Sequence, residues 1–208
     1  MYYGERLNSI THLVGAVLAL VGFGALLTLS IQQSDPLLIT GFVVFGVTLV
    51  LLYTMSTLYH SFHPPRLKRM FQVLDHVTIY LLIAGTYTPY LLAAIRQDGI
   101  PTLLVFIWAL AIVGILLDTL IRKRIVWLQV LIYLVMGWVC VLSYSQLEAV
   151  FPAVALAWLI AGGIAYTSGV LFYVLDKLHV LRHAHGIWHL FVLFGSICHF
   201  VSIAGYIR

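Results

Sequence analysis

The sequence predicts an all-α integral membrane protein, a bundle of seven transmembrane helices, and three observations predict it. Of 208 residues, 62% are hydrophobic and 9% charged, against about 45–50% and about 25% in an average soluble domain. The apolar residues fall into seven runs, each long enough to cross a ~30 Å hydrocarbon core. The basic residues collect in alternate loops. Spans at 10–31, 37–62, 72–95, 101–121, 126–146, 151–175 and 184–206 leave only six short loops and two short tails. Residues 1–208 therefore read as one transmembrane domain, with its chemistry in or beside the bilayer.

The first span exceeds the roughly 7–15 apolar residues of a signal-peptide core. Gln32-Gln33-Ser34-Asp35 follows it without a small-residue cleavage pattern, so it reads as a retained helix. Pro36, Pro101 and Pro152 stand at span starts, where a missing N–H costs nothing, and Pro64-Pro65 follows the second span. Pro89 lies inside the third span and is expected to kink it, with Thr86 and Thr88 available to help satisfy freed backbone groups. Asp118 and Arg122, four residues apart near the end of span four, read as an interfacial salt bridge. Asp176 and Lys177 read as helix-end charges, the five tryptophans as packing or interfacial belts, and Cys140 and Cys198 as buried thiols.

The net charge of +4 belongs to loop topology, not to nucleic acid. Arg6, then Arg66, Lys68 and Arg69, then Arg122, Lys123 and Arg124, then Lys177 and Arg182 lie on one side; only Arg96 and Arg208 lie on the other. By the positive-inside rule the N-terminus is cytoplasmic and the C-terminus outside, in a cell inner (plasma) membrane.

Ionisable groups in hydrocarbon are costly and need a partner or a task. With this topology, four helices deliver polar groups to one cytoplasmic-side layer: Glu5, Asn8 and His12 from span one, Ser56 and His60 from span two, Asp75 from span three, His185 and His189 from span seven. Positions four apart share a helix face, which groups Ser56 with His60, His185 with His189, and Asn8 with His12. Two histidines at that spacing can grip one metal ion. A third imidazole leaves a fourth tetrahedral position for water, the arrangement of catalytic zinc. Copper and iron also accept imidazole, but three neutral histidines and an open position suit zinc well. His179 and His183 form a rival pair that brackets the basic sixth loop and is expected to be solvated. His63 is expected at the interface, and His76 lies ~100° round the helix from Asp75. His199 shares the face of His185 and His189 but stands ~15 Å beyond His189 along the axis, so it is expected to line a polar cavity or bond a neighbouring helix.

Glu5-x-x-Asn8-x-x-Thr11-His12, Ser56-x-x-Tyr59-His60, Asp75-His76 running into Leu82-Ile83-Ala84-Gly85-Thr86-Tyr87-Thr88-Pro89, and His185-Gly186-Ile187-Trp188-His189 with Cys198-His199-Phe200 resemble the hemolysin III family. That family is the bacterial branch of the progestin and adipoQ receptor group, which includes the adiponectin receptors. The similarity runs from about residue 5 to 206. It implies seven helices with a cytoplasmic N-terminus and a zinc ion held by the histidines matching His60, His185 and His189. Ser56 and Asp75 match the polar residues beside the zinc-bound water. The wider superfamily, with the alkaline ceramidases, implies metal-dependent hydrolysis of lipid amides. The chain lacks the receptors' long N-terminal cytoplasmic region, which argues against receptor signalling.

The leading expectation is a zinc-dependent intramembrane hydrolase of an acyl-lipid bond, an amide as in ceramide. Asp75 takes the proton of the zinc-bound water, Ser56 bonds the water or the developing oxyanion, and Glu5, Asn8 and His12 form an outer shell or proton route. The alternative is a lipid-responsive sensor with a structural zinc and no catalysis. A haem protein needs axial histidines facing each other across the haem, whereas His185 and His189 share one face. The sequence leaves the lipid and the oligomeric state open; the partners it implies are a membrane lipid and the bilayer.

Overall fold

A computed structural model describes residues 4–95, 101–121 and 125–207. Among them the chain is helical throughout, in the order α1 (Arg6–Gln33), α2 (Pro36–Ser61), α3 (Pro65–Ile95), α4 (Pro101–Leu120), α5 (Val126–Trp138), a 3-10 turn (Val139–Ser143), α6 (Tyr144–Val150), α7 (Ala153–Lys177) and α8 (Ala184–Tyr206). With α5 to α6 counted as one crossing, seven segments are long and apolar enough to span a membrane. This is an all-α, multi-pass membrane protein.

The helix starts follow their local chemistry. Asp35 caps α2 by accepting from Leu37 N–H at 3.0 Å, with Pro36 in the first turn. Pro65 opens α3, so the third crossing begins about two turns before the expected residue 72, because Pro64-Pro65 ends one helix and starts the next. α3 runs on through Pro89, with Thr86 Oγ1 donating to Leu82 O at 2.8 Å and Thr88 Oγ1 to Ala84 O at 2.9 Å. The fifth crossing is not one continuous helix over 126–146. It tightens at Val139–Ser143 and runs on to Val150, and Tyr87 Oη enters that break, donating to Met136 O at 2.7 Å and accepting from Cys140 N–H at 3.0 Å.

The helices close into a ring in which α1 packs on α2, α2 on α3, α3 on α4, α4 on α5, α5 on α7, α7 on α8, and α8 back on α1. Its polarity is inverted relative to a soluble protein. Leu13, Val14, Val17, Leu18 and Val21 of α1 and Val105, Ile112, Val113 and Leu116 of α4 face outwards, whereas Ser9, His12, Ser56, His60, Asp75, His189, Ser196, His199 and Ser202 are buried. Lipid tails carry no penalty for apolar contact, so close backbone approach and internal hydrogen bonds hold such a bundle. Gly15 shows this: a Cβ there would lie 2.4 Å from the ring of Tyr53, which sits in the α1–α2 seam.

Arg122, Lys123, Arg124, Arg96 and Arg208 lie outside the described residues, and with them the expected Asp118–Arg122 pair; Asp118 accepts from Gln129 Nε2 across the α4–α5 connection. Asp176 is not a simple helix-end charge, since it bonds His185.

Candidate metal centre

The ends of three helices meet at one end of the ring: the start of α1, the last turn of α2 and the first turns of α8. That end also carries Arg6, Arg66, Lys68, Arg69, Lys177 and Arg182. His60 is the penultimate residue of α2, and His185 and His189 lie one turn apart on α8. One ring nitrogen from each falls within 4.8 Å of the other two, so the three histidines could hold a metal ion. Their ring centroids form a near-equilateral triangle, with sides of 5.0, 5.0 and 4.7 Å.

What each ring does with its other nitrogen fixes its tautomer. His60 Nδ1 lies 2.8 Å from Glu5 Oε2, His185 Nδ1 lies 3.1 Å from Asp176 Oδ2, and His189 Nδ1 lies 3.3 Å from Asn8 O and 3.3 Å from Thr11 Oγ1. A carboxylate or carbonyl oxygen only accepts, so in each ring Nδ1–H donates and Nε2 keeps a bare lone pair. That is the protonation a metal ligand needs. His60 Nε2 is also buried without a hydrogen-bond partner, a cost of about 1–3 kcal/mol for an unsatisfied buried group that a cation would remove. On chemistry and tautomer the site fits a zinc-type ion.

The outer partners come from further helices. Glu5, just before α1, also accepts from Lys68 Nζ at 2.9 Å through both oxygens. Burial pushes its carboxyl up, but the hydrogen bonds from His60 and Lys68 and the charge of Lys68 outweigh that and hold it below the usual carboxylate range. Asn8 contributes its backbone carbonyl to His189. Thr11 Oγ1 donates to Leu7 O at 2.9 Å, which orients it towards His189. Gly186 makes room for α1, since a Cβ there would meet Leu7 at 2.4 Å. His12 stacks on His189, centroids 3.6 Å apart and planes 12° from parallel.

Ser56 and Asp75 are both buried, and with His12 they line one end of a cavity of about 270 Å³. His60, His185 and His189 do not line it; His12, stacked on His189, joins the cavity to the histidine cluster. From that end the cavity runs between α3, α5, α7 and α8 past Leu82, Ile83, Leu134, Leu159 and Val192. The remaining histidines stand apart: His63, His179 and His183 are exposed, while His199 lines the cavity and bonds Leu159 O at 3.2 Å.

Sequence reasoning missed Asp176 and Thr11 as partners. Asp176 is nine residues before His185, across a connection whose shape depends on left-handed His179 (φ 55°) and His183 (φ 64°), residue types that do not announce a turn. Thr11 could have been found, since three residues after Asn8 it lies beside it on the same side of the helix.

A family model described as "Haemolysin-III related" matches residues 2–200. Hemolysin-3 of Bacillus cereus is 39% identical over 203 residues, covering 98% of this chain and 91% of that protein. The human monocyte to macrophage differentiation factor is 29% identical over 212 residues, 99% of this chain and 85% of that protein. The adiponectin receptor protein of Drosophila melanogaster is 25% identical over 224 residues, 96% of this chain and 50% of that protein.

Proposed function

Because this chain belongs to the haemolysin-III related family, and because three histidines with their outer nitrogens already engaged meet beside a buried serine, a buried aspartate and a long apolar cavity, we propose that it is a zinc-dependent intramembrane hydrolase of an acyl-lipid bond, an amide of the ceramide type. The observation that carries the reading is the tautomer set: Glu5, Asp176 and Asn8 O each hold an Nδ1 and leave Nε2 free on three clustered rings. The basic end faces the cytoplasm of the cell membrane, which puts the N-terminus inside and the C-terminus outside.

His60, His185 and His189 are the ligands. Zinc held there would supply Lewis acidity for hydrolysis at neutral pH. Asp75 accepts the proton lost by the attacking water and returns it to the leaving nitrogen. Ser56 Oγ–H donates to the oxygen that gains charge. Glu5, Asp176, Asn8 and Thr11 hold the rings in register, and His12 packs against His189. The acyl chain lies in the cavity, whose largely apolar walls exclude water from the reacting bond.

A sensor with a structural metal is favoured by a different observation. α2 and α8 meet through side chains such as Tyr53 on Ser196, with α1 packed against both, so an ion shared by His60, His185 and His189 would staple the ends of these two helices together. Metal analysis of the purified protein, followed by lipid-amide turnover and thermal melting with and without chelator, separates the two. Stoichiometric zinc with turnover lost on chelation supports the hydrolase. Zinc with a lower melting temperature on chelation and no turnover in any state supports the sensor, and absence of bound metal sinks both.

A further inference from the structure

The cavity wall includes long stretches of single helices, so its length can be read along them. On α3 the wall takes in Asp75, Ile79, Leu82, Thr86 and Tyr90, spaced three and four apart as one helix face requires. From Asp75 to Tyr90 is ~22 Å at ~1.5 Å per residue. On α7 the wall runs from Leu156 to Val170, ~21 Å by the same measure. Two helices give one length.

The two ends differ in chemistry. His12, Ser56 and Asp75 make one end polar. At the other, Tyr90, Leu103, Leu147 and Leu156 come from α3, α4, α6 and α7, and all four are buried. Leu103 and Leu156 stand in the first turns of their helices and Leu147 in the last turn of its own. Phe151 backs this group, edge-on to Tyr90 with centroids 5.6 Å apart and planes at 86°, and is itself buried. Packed apolar side chains therefore close this end. A volume of about 270 Å³ drawn out over ~22 Å holds one hydrocarbon chain and not two. An extended chain with ~1.5 Å bonds at ~111° advances ~1.25 Å per carbon, so that length takes about 16–18 carbons.

We propose that the cavity is a length gauge for a single acyl chain: with the acyl head at Ser56 and Asp75 it accepts chains of up to about 16–18 carbons, and Tyr90, Leu103, Leu147 and Leu156 are the specificity-determining stop. This rests on the acyl-lipid reading of the cavity and adds the chain length to it. Val141 and Ile160 belong to the wall and are also exposed, on the α5–α7 side. The rival fate of a longer chain is to turn out there.

The test is displacement of a fluorescent fatty acid from the purified full chain by saturated acids from dodecanoic to tetracosanoic, at one detergent concentration. The gauge predicts the strongest displacement by hexadecanoic or octadecanoic acid. Docosanoic acid should be at least about tenfold weaker, because carbons past the stop lose their burial. Leu156→Ala and Leu147→Ala each lower the stop and should move the optimum up by about two carbons. Displacement by tetracosanoic acid as strong as by hexadecanoic acid overturns the gauge and leaves the lipid cavity standing, with the tail leaving between α5 and α7. An optimum that stays put in both variants, as a solubility limit would, overturns it too. Displacement by no acid sinks the cavity reading itself. The series in the parent chain needs no variant to fold.

Discussion

Two His-x-x-x-His pairs interleave in one stretch of this chain and meet opposite fates. His185 and His189 lie one turn apart on α8, turn the same way and converge with His60. His179 and His183 have the same spacing, yet both are exposed and both adopt left-handed backbone, φ 55° and 64°, in the connection between α7 and α8. Spacing alone puts two rings on one face only where a helix runs through both positions. The second difference is support. Each ring of the inner pair has an oxygen on its Nδ1, whereas the rings of the outer pair are exposed on the connection. A metal pair is thus a helix property plus an outer hydrogen bond, and the outer pair lacks the helix.

The largest expected effect breaks this comparison if it fails. His189→Ala removes a ligand and leaves His12 without its stacking partner, so bound zinc should fall from about one per chain to near none. His179→Ala and His183→Ala should leave metal content and affinity as in the parent. Elemental analysis of the three purified variants decides it, and metal loss from the outer-pair variants would show that the ion sits in the connection. Asp75→Asn comes next. It keeps all three ligands, so zinc should stay while turnover of a lipid amide falls by about 10²–10⁴. Full turnover with zinc retained would remove Asp75 from the chemistry.

The outer hydrogen bonds give a smaller effect. Asp176→Ala should weaken zinc binding by about 10–100-fold, the usual cost of losing a partner that orients a ligand, and Glu5→Ala should do the same through His60. Competition with a chelator of known affinity measures both. An unchanged zinc affinity in Asp176→Ala would mean that the connection alone orients His185.

Much of this was legible from the chain. The seven crossings follow from run length and proline positions, and the meeting of His60, His185 and His189 follows from helix faces once the basic loops put their helix ends on one side. The rest depends on approaches between residues that sequence does not connect. Asp176 reaches His185 only because the chain between them turns on two left-handed histidines where glycine or asparagine is the usual signal. Asp118 bonds Gln129 because the α4–α5 connection brings the two helix ends together. The break at Val139–Ser143 has no proline and becomes intelligible only when Tyr87 is seen bonding into it. The cavity is a property of the ring and of no single helix.

The smallest effect tests whether left-handed backbone at the outer pair matters in its own right. A non-glycine residue in that region carries strain of about 1–2 kcal/mol, which glycine relieves. Glycine in turn loses more backbone freedom on folding, about 0.5–1 kcal/mol relative to alanine. The two terms oppose, so His183→Gly should change folding stability by no more than about 1 kcal/mol and leave zinc affinity where it was. Melting in detergent with and without zinc measures both. If His183→Gly weakens zinc binding while His183→Ala does not, the rigid left-handed turn is what presents Asp176 to His185, and the exposed pair then serves the buried one through the backbone it fixes.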